Sequence, residues 1–483
     1  MLTVLIFGGI FLIGALGIVG RKATTMGEWT VSGRNLPRWT SWFLQAGESL
    51  TTFSFLGLAG IAFTGGLSAT FAIAYLSIAA IGLYFVGPRI WRLGRSRGYI
   101  SQADFFTDRF NSPMLGKLAA VVGALFLLPY LQLQLTGLGL IVELATGSKS
   151  GRGLSMVVAS VLVIAFVAWA GIRGIARVAM LKDALMVIAL VLVLVAVLIS
   201  VGGVPHIFGE LATHSPDLLT VNAPGYGTTF FLTSVIITGI GAGLNTFPHL
   251  WPPLFAAKTG AVLRDNYTWL GLYQFALFAP IIVGCGAILI LPSTTRGNAV
   301  LLTTAHQTMP DSLVAVIAIA GAAAAMVPAA AIAMGISSLI SQNLIVVTGE
   351  RRKLRLNTVF VAAAVLLSLI FGLTNYDIAG LLLLTYGGLA QMAPGILFGL
   401  ANKVKVGAVP IILGMITGVV VVGWLTFAHV DIGTWDSGLI ALAPNLIVFA
   451  IAEIIRRSRT PAARGEVPAA GGVAEGSLAV DTP

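Results

Sequence analysis

Runs of about twenty apolar residues recur along the whole chain, and they limit its fold more than any other feature. They centre near residues 11, 51, 77, 128, 163, 191, 238, 278, 328, 364, 389, 417 and 446. Each is long enough to cross a lipid bilayer as a helix. The expected fold is therefore an all-α polytopic membrane protein with about thirteen transmembrane helices. Composition agrees: 57% of the 483 residues are hydrophobic and 10% are charged, against roughly 25% charged in soluble domains.

The net charge of +10 does not indicate a nucleic-acid partner. The basic residues fall in short loops between apolar runs, with no aromatic-interleaved basic domain. The single cysteine, Cys285, lies inside an apolar run and can form no intrachain disulfide. The opening stretch MLTVLIFGGIFLIGALGIVG has no basic residue before its apolar core and is followed by RK. It reads as a first transmembrane helix rather than a signal peptide.

The loops alternate in charge. Of the 28 Lys and Arg, all but Lys149, Arg152 and Arg296 fall on one side. Cations concentrate on the cytoplasmic side, so this chain is expected to be a multi-pass cell-membrane protein with its N-terminus outside and C-terminus inside. Lys182 counts here as one of the cytoplasmic-loop cations, and no Lys or Arg reads as lying at mid-depth in a span. No soluble domain is visible. Residues 459–483, rich in Ala, Gly and Pro, read as a disordered cytoplasmic tail.

Two runs carry their polar and helix-weakening residues in the middle. QAGESLTTFSFLGLAG, residues 45–60, holds Glu48 among Ser49, Thr51, Thr52 and Ser54, with glycines on both sides. TSVIITGIGAGLNTFPHLWPP, residues 233–253, holds three glycines, then Asn245, Thr246, Pro248 and His249. A glycine weakens a helix interior by about 1 kcal/mol, and a proline removes a backbone donor and clashes one turn back. The second run lies five helices after the first, so the two point in opposite directions. Paired interrupted spans in two inverted halves point to the binding site of a secondary transporter. Gly and Pro are also common in ordinary membrane helices.

Further stretches carry a family resemblance: VSGRNLPRW, FLGLAGIAFTGG, ISQADFFTDRF and AIAMGISSLIS. With them the chain resembles the sodium:solute symporter family over nearly its full length. LPYLQLQLTGLG, and FPH followed by FAAKTG, resemble most the monocarboxylate (lactate/pyruvate) permease branch. The resemblance implies a LeuT-type core of five plus five inverted helices. Residues 1–36 would form the first helix and a cytoplasmic loop. Residues 37–402 would be the core, with repeats 37–202 and 228–402, and residues 403–458 two C-terminal helices.

The resemblance also implies a sodium site made by the carbonyls of Gly47, Leu50 and Met334 and the hydroxyls of Ser337 and Ser338. Ser341 lies one turn from Ser337 and could support it. Asp183 matches an acid that helps sodium leave, although a carboxylate near a helix start is also ordinary dipole chemistry. Adjacent serines in a membrane helix also serve close packing or bond back to the preceding turn.

For an anionic substrate the donors would be half-helix N-termini and neutral groups. The candidates are Thr51, Thr52 and Ser54 at the first break, Asn245, Thr246 and His249 at the second, and Gln134 and Gln391. Phe247 and Trp251 would wall the cavity or simply pack. Glu48 could stay neutral, pair with His249 or sodium, carry a proton, or bond to backbone freed by the break.

The leading expectation is sodium-coupled symport of small monocarboxylates, with membrane lipid as surroundings and no nucleic acid or obligate protein partner. Proton coupling through Glu48 or His249, another solute (proline, a sugar, urea, a vitamin), and a sensor or passive channel on the same fold are the rivals. No nucleophile–base set, metal cluster or nucleotide loop suggests an enzyme.

Overall fold

The apolar runs fold as helices. In the computed structural model residues 2–18, 25–147, 152–345, 347–372 and 378–459 are described; Arg21, Lys22, Lys149 and the expected tail beyond Arg459 lie outside them. Ten helices among the described residues are long and apolar enough to cross a membrane. Leu2–Gly17 and Gly153–Val167 are shorter apolar helices, and the run Phe53–Arg97 carries two of the expected spans. Together these account for the thirteen apolar runs.

Among the membrane-spanning helices the most enclosed is Asp311–Leu339, rich in Ala and Gly. Small side chains let neighbouring backbones approach closely, and the long helices Pro113–Thr146 and Arg152–Val201 pack along it. Arg152–Val201 is bent at Gly171, whose φ of 54° and ψ of −179° suit glycine best. The bend divides it into the two spans expected near residues 163 and 191.

Both interrupted runs are broken in the structure. The first is helical over Arg38–Ala46, leaves the helix over residues 47–51, resumes at Thr52 into a π turn at Phe53–Gly57 and continues as Leu58–Gly65. The second is helical over Thr228–Gly243 and breaks at residues 244–247. It resumes through a 3-10 turn, Pro248–Leu250, into Trp251–Ala256. Asn245 sits in the break at φ 55°, a left-handed conformation that Asn tolerates better than most residues.

The broken spans run in opposite directions and are joined at one end. Leu36, before the first, forms a parallel β-bridge with Ala257, after the second. Leu36 N donates to Ala256 O at 2.9 Å, and Lys258 N donates to Leu36 O at 3.2 Å. Two side chains, Trp91 and Arg95, reinforce this bridge, and Arg34 ties the segment before Leu36 to the end of the helix run Phe53–Arg97. Trp91 Nε1 donates to Ala257 O at 2.9 Å. Arg95 donates to Arg34 O and Lys258 O at 3.2 and 3.3 Å. Arg34 donates to Gly94 O at 3.1 Å and Tyr99 O at 2.6 Å. Burial, then the neighbouring Arg95 charge, holds the Arg34 guanidinium below its ordinary value. At the other end lies a cavity of about 580 Å³, bordered by Gly57, Gly60, Thr64, Thr136, Glu143 and Arg296.

The stretch ISQADFFTDRF forms the helix Gln102–Arg109, opened by a capping box of Ser101 and Asp104. Asp104 also accepts a bond from Asn343 Nδ2 at 2.7 Å, which docks this helix against the π turn Ile340–Leu344 that ends Asp311–Leu339.

Candidate functional site

At the first break the backbone loses its regular partners. Ser49 N still donates to Ala46 O at 2.9 Å and Leu50 N to the same oxygen at 3.3 Å. Ser54 Oγ donates to Ser49 O at 2.8 Å, and Thr51 Oγ1 accepts from Phe53 N at 3.3 Å. Ser54 and Thr51 thus hold the broken backbone together. Thr52 Oγ1 is buried without a hydrogen-bond partner.

The carbonyls of Gly47 and Leu50 face one donor. Lys182 Nζ lies 2.6 Å from each of them, with its side chain 0% exposed and Asp183 Oδ1 2.9 Å away. This overturns two expectations: Lys182 is not a loop cation, and a lysine does lie deep in a span. The sequence misled because Lys182 follows Arg173 and Arg177 in the same helix, as though still at the cytoplasmic border. The helix Arg152–Val201 instead carries it into the core beside Gly47. The signal was present in LKDALM, an acid–base pair leading into an apolar run.

At the second break Gln102 Nε2 donates to Thr246 O at 2.9 Å and Asn245 O at 3.3 Å, and Trp251 Nε1 donates to Asn245 O at 2.7 Å. Thr246 Oγ1 bonds back to Gly241 O at 3.0 Å. Trp251 and Thr246 therefore brace the break. Asn245 Nδ2 has no partner.

The two breaks meet through their ionisable side chains. His249 Nε2 lies 3.2 Å from Glu48 Oε2, with the side chains 1% and 4% exposed. Around His249 stand Phe247 and Tyr130, each with its ring centre 5.6 Å away. Tyr386 packs on Phe247 at 4.5 Å and Tyr75 on Tyr386 at 5.5 Å. Gly335 fits against His249, since a Cβ there would stand 2.6 Å from His249 Cβ. On Pro113–Thr146, Tyr130, Gln134 and Gly137 share one helical face. Gly137 abuts Thr52, so this face is turned to both breaks. Both amide atoms of Gln134, Thr136 Oγ1, His249 Nδ1 and Glu48 Oε1 are buried and unpartnered.

The remaining expected residues divide. Ser337 Oγ donates to Met334 O at 3.0 Å, the packing arrangement of a membrane serine. Ser338 Oγ is buried without a partner. Ser341 Oγ donates to Asn357 Oδ1 at 3.4 Å. Gln391 is placed differently from expectation. Its amide donates to Gly387 O and Gly438 O at 2.9 and 3.0 Å, and its oxygen accepts from Asn445 Nδ2 at 3.0 Å. It clasps the C-terminal helix Ser437–Arg459, and its polar groups are spent there. Sequence reasoning missed Lys182, Gln102, Tyr130, Tyr75 and Tyr386. The tyrosines sit in apolar runs where an aromatic ring reads as core.

Two inverted broken helices, with buried polar atoms converging where they break, define a secondary transporter rather than an enzyme. The chain belongs to the sodium:solute symporter family, whose sequence pattern matches residues 29–418. It is 32% identical over 482 residues to an uncharacterised symporter, YhjB, of Bacillus subtilis, covering 95% of this chain and 98% of that one. A monocarboxylate transport permease protein of Rhizobium johnstonii is 24% identical over 479 residues, covering 93% of this chain and 96% of that one. Among solved structures, a substrate-bound outward-open Na+-coupled sialic acid symporter superposes with a TM-score of 0.79 at 16% identity, covering 94% of this chain and 98% of that one. The fold is thus the LeuT-type inverted-repeat fold, and the protein is a multi-pass membrane symporter.

Proposed function

We propose that this symporter carries a small monocarboxylate into the cell, holding it between the two breaks. The observation that carries the reading is the Glu48–His249 pair between the breaks, with Glu48 Oε1 and His249 Nδ1 buried and unpartnered, as are Thr52 Oγ1 at the first break and both amide atoms of Gln134 on the helical face turned to the breaks. A buried polar atom without a partner costs roughly 1–3 kcal/mol, so a solute that satisfies several of them is bound strongly. Most can donate, as a carboxylate requires. Glu48 Oε1 could accept from a hydroxyl such as that of lactate. The Tyr130, Phe247 and Tyr386 rings supply an apolar wall that suits a short carbon chain. Similarity to the Rhizobium permease supports the same class.

The bridged, cation-rich end is assigned to the cytoplasm, and the cavity at the other end is the entry from outside. Sodium is the co-transported ion that family membership suggests. The residues fit it poorly: of the five expected ligand atoms, the Gly47 and Leu50 carbonyls hold Lys182, the Met334 carbonyl holds Ser337, and only Ser338 Oγ among the hydroxyls lacks a partner.

Uptake of labelled lactate, pyruvate, acetate and proline into proteoliposomes under imposed ion gradients tests the substrate class. Monocarboxylates should accumulate above equilibrium and proline should not. Accumulation of proline alone, or of none of the four, contradicts the proposal.

A further inference from the structure

We infer that this chain carries its own cation where a sodium ion would bind at the first break: the tethered ammonium of Lys182. The inference rests on the family's assignment of the Gly47 and Leu50 carbonyls, and not on the monocarboxylate reading.

An ammonium has three N–H donors and no acceptor. Here three oxygens surround it: Gly47 O and Leu50 O at 2.6 Å and Asp183 Oδ1 at 2.9 Å. Two donors are thus hydrogen-bonded to carbonyls, and Asp183, whose carboxylate oxygens accept no hydrogen bond, stands beside the positive charge as an ion-pair partner. Lysine is rarely fully buried unless it is paired in this way. The surroundings are shaped for the arrangement as well. Gly47 packs directly on Ala179, one turn before Lys182, so the helix can bring the amine to the break: a Cβ on Gly47 would stand 3.4 Å from Ala179 Cβ and 3.6 Å from Lys182 Nζ.

Carbonyl oxygens that lose their helical partners at a membrane break need a donor or a cation. In this chain the need is met from within. A sodium ion on the same two carbonyls would have to share them with a fixed like charge at contact distance, which is strongly unfavourable in a buried site. Lys182 thus does permanently what a bound ion would do transiently, fixing the geometry of the first break whether or not sodium is present.

The test uses purified full-length protein without substrate. Its unfolding midpoint is measured in sodium, potassium and choline chloride at equal ionic strength, for the wild type and for Lys182→Ala. The wild-type midpoint should be the same in all three salts. Lys182→Ala, which leaves the two carbonyls open, should gain a saturable rise specific to sodium. A saturable sodium-specific rise in the wild type overturns the inference. So does a folded Lys182→Ala protein with no sodium response. If Lys182→Ala does not fold, the wild-type titration decides alone. Because no substrate is present, these outcomes are independent of whether monocarboxylates are the solute.

Discussion

Glu48 and His249 come from different broken spans and are almost wholly enclosed, 3.2 Å apart. Neither would be tolerated there alone. Removing one partner of a buried pair leaves the other uncompensated and costs about 3–5 kcal/mol. His249→Ala is therefore expected to lower the unfolding midpoint clearly and to reduce monocarboxylate uptake at least tenfold at equal membrane expression. The double variant Glu48→Gln/His249→Ala should lose less stability than the two single variants added together, because the groups share one interaction. Additive losses would show that the pair is not coupled. At this scale the sequence was only partly informative. Glu48 and His249 stand out as polar residues in apolar runs, and their pairing was among the roles open to Glu48. Lys182 was misplaced because a residue's depth depends on where its helix enters the core, and Gln391 because a single sequence does not show which neighbouring helix a side chain faces.

The elements work through close approach. Gly335 lets Asp311–Leu339 meet the second break: a Cβ there would lie 2.6 Å from His249 Cβ and 2.8 Å from its Cα. Backbone cannot step aside as a side chain can, so Gly335→Ala should shift His249 and cost about 1–3 kcal/mol. Monocarboxylate affinity, measured by uptake competition, should fall with it; unchanged affinity would place His249 outside the site. The helix Gln102–Arg109 supports the second break from the other side. Asp104 caps it by accepting from Ile100 N and Ser101 N at 2.7 and 2.9 Å. Asp104→Ala should cost about 1 kcal/mol and slow uptake, read as a lower midpoint and a lower initial rate. Both breaks were legible in the sequence because Gly, Pro and Asn mark them chemically. The docking of ISQADFFTDRF was not, since its partners Asn245, Thr246 and Asn343 lie far along the chain.

For the whole molecule the β-bridge between Leu36 and Ala257 closes one end while the cavity lies at the other. In the proposed alternating-access cycle that bridge opens. Arg95 holds it through two carbonyls, so Arg95→Ala should favour the opened form. Cys285 is buried and is the one cysteine of the sequence, which makes a reporter simple to introduce. A cysteine placed by Ala257→Cys should resist thiol reagents in the otherwise native protein and react faster when Arg95→Ala is added. Equal rates would show that the bridge is not held by Arg95. The thirteen apolar runs and their order were readable from hydropathy alone. The closed end was not, because the bridge joins two short loop segments with no pattern of their own.

As proposed, a small monocarboxylate occupies the space between the two breaks and is carried by alternating access. Counterflow tests it most directly. Proteoliposomes are loaded with unlabelled lactate or pyruvate and diluted into trace labelled solute, with the wild type and His249→Ala compared. Label should accumulate transiently above equilibrium with the wild type, and this overshoot should be lost in His249→Ala. Label that rises only to equilibrium, or an overshoot that survives in His249→Ala, would contradict it.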